Sequence, residues 1–138
     1  MSKALREFTI KQFKQPITKN IGSDIEWICN SMGFISSRDQ DKTAFKILKA
    51  LIKKAKHQKG LTSKELTKIV NPTIGSVIYH LKKLMNAGLV VKLGPSYELR
   101  MNSLYATIQE IEKDVLSSLE NIKKISIEID SSAGLEHR

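Results

Sequence analysis

The sequence predicts a mainly α-helical protein with one small β-hairpin, carried on into a long C-terminal helix. Three observations support this. Apolar residues recur at three- and four-residue steps in successive segments between about 23 and 87. Two short apolar runs then flank Gly94-Pro95-Ser96. Beyond residue 101 a heptad seam takes over, with no proline to interrupt it.

The first twenty residues are polar and basic, with Phe8, Ile10 and Phe13 loosely spaced and Pro16 as a breaker, which reads as an extended arm or weak edge strand. Ser23 and Glu26 have capping-box spacing and open a short helix to about Met32, with Ile25, Ile28, Cys29 and Met32 on one side and Gly33 as its stop. Ser37 and Gln40 repeat the spacing. Behind them Ala44, Phe45, Leu48, Leu51, Ile52 and Ala55 define an amphipathic helix over roughly 39–58, with Lys46, Lys49, Lys53 and Lys56 mostly off the apolar stripe. Thr62 and Glu65 make a third box for a short helix that buries Leu66, Ile69 and Val70 and is interrupted at Asn71-Pro72. Thr73 caps the next helix, which runs to about Ala87 before Gly88. Residues 89–93 and 97–100 read as strands joined through Gly94-Pro95-Ser96. The last helix, about 102–129, carries Leu104, Ile108, Ile111, Val115, Ile122, Ile125 and Ile129 on one seam, with Ser118 at a core position.

This order of helix, short helix, turn, second helix and hairpin is that of a winged helix-turn-helix. It divides the chain into an N-terminal arm and short helix (1–36), the winged domain (37–101), a dimerisation helix (102–130) and a tail (131–138). Leu135-Glu136-His137-Arg138 has the look of an appended tag and carries no argument.

Charge follows the same division. The 138 residues hold 23 Lys+Arg against 14 Asp+Glu, a formal +9. Residues 42–100 carry thirteen basic groups against Glu65 and Glu98, a net +11, while 1–41 are at +1 and 101–138 at −3. The excess is local, and it coincides with the helix-turn-helix. That pattern is an electrostatic footprint for a polyanion.

In the second helix of the motif Val77, Leu81 and Leu84 occupy one narrow sector at about 100° per residue. Gly75, Tyr79, Lys82 and Asn86 fall opposite, with Ser76, Ile78 and Lys83 on the flanks. A helix that reads the major groove needs this division. Ser76, Tyr79 and Ile78 are placed for base edges, Ile78 for a thymine methyl. Gly75 allows close approach, and Thr73 and Ser76 can help the helix N-terminus receive a phosphate. Lys82, Lys83 and Lys64 are expected at phosphates, and Lys92 and Arg100 flank the wing. His80 sits at the edge of the core sector and reads as half-buried.

The stretch Val77-Ile78-Tyr79-His80-Leu81-Lys82-Lys83-Leu84-Met85-Asn86-Ala87-Gly88-Leu89-Val90, with Leu61-Thr62-Ser63-Lys64-Glu65-Leu66 before it, resembles the ArsR-type and related archaeal transcriptional regulators over about residues 40–100. The resemblance implies duplex DNA as partner and transcriptional control, with repression the commonest mode. The metal sensors of that type rely on cysteine and histidine clusters. Here Cys29, His57, His80 and His137 are scattered, so no metal and no cofactor is expected.

The longest apolar runs are a few residues long, too short for a membrane span. One cysteine allows no internal disulfide and fits a reducing, cytoplasmic, nucleoid-associated setting. No glycine loop for a nucleotide and no nucleophile–base pair stands out, so no enzyme is expected. The seam of the last helix favours a homodimer, which would suit two half-sites. Rival readings are a winged-helix protein-interaction subunit of the transcription machinery and a non-specific architectural DNA-binding protein. Lys11, Lys14 and Lys19 could serve a minor-groove arm, while Ile25, Trp27 and Ile28 could cover the dimer core. The operator, the regulated genes and any effector are not legible.

Overall fold

The computed structural model describes residues 4–35, 42–70 and 73–135. Its elements follow in the order α1 (Ile21–Ser31), α2 (Thr43–Ala55), β1 (Leu61–Thr62), α3 (Ser63–Val70), α4 (Ile74–Asn86), β2 (Val90–Leu93), β3 (Ser96–Leu99) and α5 (Leu104–Ala133). The Ser37/Gln40 spacing, the Asn71-Pro72 interruption and the last three residues lie outside the described residues.

One core joins the helices to the sheet. Ile47, Leu48 and Leu51 of α2, Leu66 of α3, and Val77, Leu81 and Leu84 of α4 are fully or almost fully buried in it, with Leu89, Val90 and Leu99 from the hairpin. The helical positions are those that periodicity assigns to the interior, except Ile47, which the expected stripe leaves out and which is wholly buried, while Phe45, Ile52 and Ala55 of that stripe are half-buried. Packing at this density makes each of them costly to truncate, at about 2–5 kcal/mol for leucine to alanine.

Two caps form as the spacing predicts. The Thr62 hydroxyl accepts from the Glu65 N–H at 3.1 Å while the Glu65 carboxylate accepts from the Thr62 N–H at 3.1 Å. Those bonds hold the Glu65 carboxyl below its ordinary pKa. Thr73 caps α4 by accepting from the Ser76 N–H at 3.2 Å. The predicted Ser23/Glu26 box does not form. Asn20 is the N-cap of α1 and accepts from the Ser23 N–H at 2.8 Å, while Glu26 is drawn across to Lys42, 2.6 Å away at the start of α2.

The sheet departs from expectation in two ways. Leu61–Thr62 pairs antiparallel with β3, opposite Tyr97 and Ser96, so the strand order is β1-β3-β2 and the hairpin is part of a three-stranded sheet. Ser96 pairs with Leu93, which leaves Gly94-Pro95 as a two-residue turn rather than the three residues expected. Ile69 also differs: it is 57% exposed, because α3 is two turns long and turns only Leu66 and Val70 into the core.

The arm is extended, as expected, and it straps the domain. The Lys11 N–H donates to the Ser31 carbonyl at 2.7 Å, and the Trp27 indole donates to the Lys14 carbonyl at 2.8 Å. Glu7 N–H and the Arg6 guanidinium donate to the Asn86 and Met85 carbonyls at 3.1 and 2.9 Å. Those carbonyls end α4, where the Met85 carbonyl also accepts from the Gly88 N–H at 2.9 Å, so the arm adds to the satisfaction of the C-terminus of the groove-facing helix.

At 30 residues α5 spans about 45 Å and runs beyond the expected end. Its first turns pack on the domain: Ile111 is buried there, and Leu104, Ile108 and Val115 lie against the same core. From Leu116 onward nearly every side chain is exposed.

Candidate nucleic-acid interface

Helix α4 presents two different faces. Val77, Leu81 and Leu84 are wholly buried, and they fix the orientation of the helix on α2 and α3. Gly75, Tyr79, Lys82, Lys83 and Asn86 are exposed, with Ser76, Ile78 and His80 half-buried beside them. The outward face therefore holds every residue that the sequence assigns to base or phosphate contact on this helix.

Tyr79 is the centre of that face, at 56% exposed. The Lys83 ammonium lies 5.1 Å from its ring centroid, a cation–π contact. The His80 ring meets it edge-on at 5.1 Å and 81°. An aromatic ring braced in this way is pre-organised for stacking or hydrogen bonding, and Lys83 is braced with it. By sequence Lys83 reads as a simple phosphate contact; its four-residue spacing from Tyr79 is the signal for this pairing.

Around α4 stand the other expected contacts. Lys64 is exposed on α3, and Thr73 is exposed at the α4 N-terminus. Lys92 is exposed on β2, its ammonium 5.6 Å from the Tyr97 ring, which anchors the wing residue over the sheet.

Arg100, expected to flank the wing, is engaged with α5. Its guanidinium donates to the Asp114 carboxylate on α5 at 2.6 Å and lies 4.0 Å from Glu110. Only 18% of the side chain is exposed. Arg6 joins the cluster, 3.8 Å from Asp114. The sequence gives no direct sign of this cluster, because its members come from the arm, the end of the hairpin and α5.

Cys29 is fully buried and its thiol is pushed up to about 12, first by burial and then by the charge of Glu26. It is core, not a reactive group. Among the described residues no three His, Cys, Asp or Glu side chains cluster to hold a metal ion. No described helix is long and apolar enough to cross a membrane.

Residues 41–92 match the family model described as bacterial regulatory protein, arsR family. The match takes in α2, β1, α3, α4 and most of β2, which is the segment that carries the two-faced helix. No curated protein and no solved structure matches the chain. The matched segment, closed by β3, is a winged helix-turn-helix domain of the ArsR type, the DNA-binding unit of a transcriptional regulator.

Proposed function

We propose, from this ArsR-type winged helix-turn-helix domain, that the chain is a homodimeric regulator that binds a specific duplex sequence and represses by blocking access to it. The observation that carries the reading is the division of α4: three wholly buried aliphatic residues on one side, and Gly75, Tyr79, Lys82 and Asn86 exposed on the other. In the major groove Ser76, Ile78 and Tyr79 would meet base edges, and Gly75 would let the backbone come close. Lys82, Lys83, Lys64 and Lys92 would neutralise phosphates, with Thr73 and Ser76 at the helix N-terminus.

Dimerisation rests on the free half of α5. Ile122, Ile125 and Ile129 continue the seam but are exposed, and Leu116 and Leu119 widen it. A helix standing clear of its domain with an apolar stripe gains its stability from a partner. Beside the stripe an apolar groove of about 430 Å³ opens between the arm, α1 and α5, lined by Phe8, Ile10, Trp27, Ile28, Val115 and Leu116. The stripe and groove together would bury the same surface on both copies of a two-fold dimer. In that arrangement Leu104, Ile108, Ile111 and Val115 link the seam to the core, and Ile122, Ile125 and Ile129 meet the second copy.

Selection from randomised duplexes at physiological salt tests the function. A palindromic consensus is the expected outcome. Uniform recovery of unrelated sequences would favour the architectural reading, and failure to retain DNA would favour the protein-interaction one.

A further inference from the structure

Helix α2 carries a second cationic surface that the groove-facing helix does not use. Lys46, Lys49, Lys53 and Lys56 recur at steps of three, four and three residues, so at about 100° per residue they form a single ridge. Lys46, Lys53 and Lys56 are exposed and Lys49 is half-buried, its ammonium 5.8 Å from the Phe45 ring. No acidic residue occurs in α2, and none of the four lysines forms an ion pair with a carboxylate among the described residues. Beside the ridge lies a shallow cleft of about 390 Å³ that Lys54 and Ile69 help to line.

The placement of the ridge is informative. On α2 the buried residues Ala44, Ile47, Leu48 and Leu51 lie opposite the lysines, and on α4 the buried residues lie opposite Tyr79 and Lys82. Both buried faces enter one core. The ridge and the groove-facing surface are therefore separate faces, each turned away from the shared core.

We propose that the α2 ridge is a separate binding surface for the sugar–phosphate backbone of duplex DNA, so that one domain holds two DNA segments, one read by α4 and one gripped by α2. From Lys46 to Lys56 the helix rises about 15 Å. Phosphates of one strand advance about 3.4 Å along the duplex axis while winding around it, so a straight ridge of this length follows about two or three of them. The contact involves no base edge and carries no sequence preference. The inference rests on the reading of α4 as the groove-facing helix.

A bridging assay tests it. Protein is loaded onto an immobilised short duplex at saturating DNA, so that every α4 is occupied, and a fluorescent duplex of unrelated sequence is then added. Wild type captures the second duplex, and capture falls steeply with salt. K46A/K49A/K53A/K56A, four surface changes to the residue of highest helix propensity, should bind the first duplex within about twofold of wild type. It should lose second-duplex capture at least about tenfold, since each phosphate contact contributes about 0.9 to the logarithmic salt slope. Lys53→Ala alone should lower that slope by about one unit. Capture by the quadruple variant at the wild-type level, or no capture by wild type, overturns the ridge. Binding of the first duplex, measured separately, reports on α4, so a failure there indicts the proposed function rather than the ridge.

Discussion

Arg100 and Asp114 meet at 2.6 Å across the junction between the end of the wing and the long helix. Their hydrogen bond and opposite charges hold the Asp114 carboxyl below its ordinary pKa, with Arg6 adding to the effect. The contact ties the end of the hairpin to α5, beside the apolar packing of Leu104, Ile108, Ile111 and Val115 on the core.

A lowered carboxyl pKa sets the sign of the pH dependence. The pair contributes its full stability above the unfolded aspartate value of about 4, and loses it as pH falls from there through the folded value. Arg100→Ala should cost about 1 kcal/mol at neutral pH, the pair being partly exposed, or about 4 °C in Tm. The difference between the variant and wild type should shrink below pH 4. A difference that stays constant down to pH 2 would contradict the role of the pair.

Gly88 sits beneath the same junction at φ +84°, where an added Cβ would lie 2.9 Å from the Arg100 guanidinium. Gly88→Ala imposes left-handed backbone strain of about 1–2 kcal/mol and also displaces the arginine. The loss should exceed that of Arg100→Ala in urea melts. An equal or smaller loss would show that the turn adapts freely.

Much of this architecture was legible from the chain itself. Val77, Leu81, Leu84, the Thr62/Glu65 box and the Thr73 cap follow from local spacing, because helix periodicity and capping depend on residues three or four apart. What escaped depended on distant partners. The Leu61–Thr62 strand is too short to show a period and exists because β3 lies beside it. Glu26 left its expected box for Lys42, and Arg100 pairs with Asp114 of α5. Seven seam residues read as one dimer interface divide at about Leu116, since periodicity marks an apolar face without saying whether its own domain or another copy covers it.

Gly75 separates stability from binding. It is an exposed helical position with nothing within 4 Å of an added Cβ. Gly75→Ala should raise stability by about 0.5–1 kcal/mol through helix propensity. It should nonetheless weaken DNA binding, because the Cβ stands where the groove must approach. A more stable protein with unchanged affinity would remove Gly75 from the contact surface.

Ile122 is 63% exposed and makes no contribution to the buried core of its own domain. Ile122→Glu with Ile125→Glu should yield a monomer at micromolar concentration in analytical ultracentrifugation, with the Tm of the domain little changed. Ile111→Ala, by contrast, should cost about 2–4 kcal/mol within each chain. A wild-type monomer at micromolar concentration would end the dimer reading.

The most direct measurement compares Tyr79→Ala with Lys82→Ala on the selected duplex and on single-base variants of it, across a range of salt. Lys82→Ala should weaken binding to all of them alike and lower the salt slope by about one unit, as the loss of one phosphate contact does. Tyr79→Ala should leave the slope nearly unchanged and alter the order of preference among the duplexes. Equal, sequence-independent losses from both variants would contradict base reading by α4.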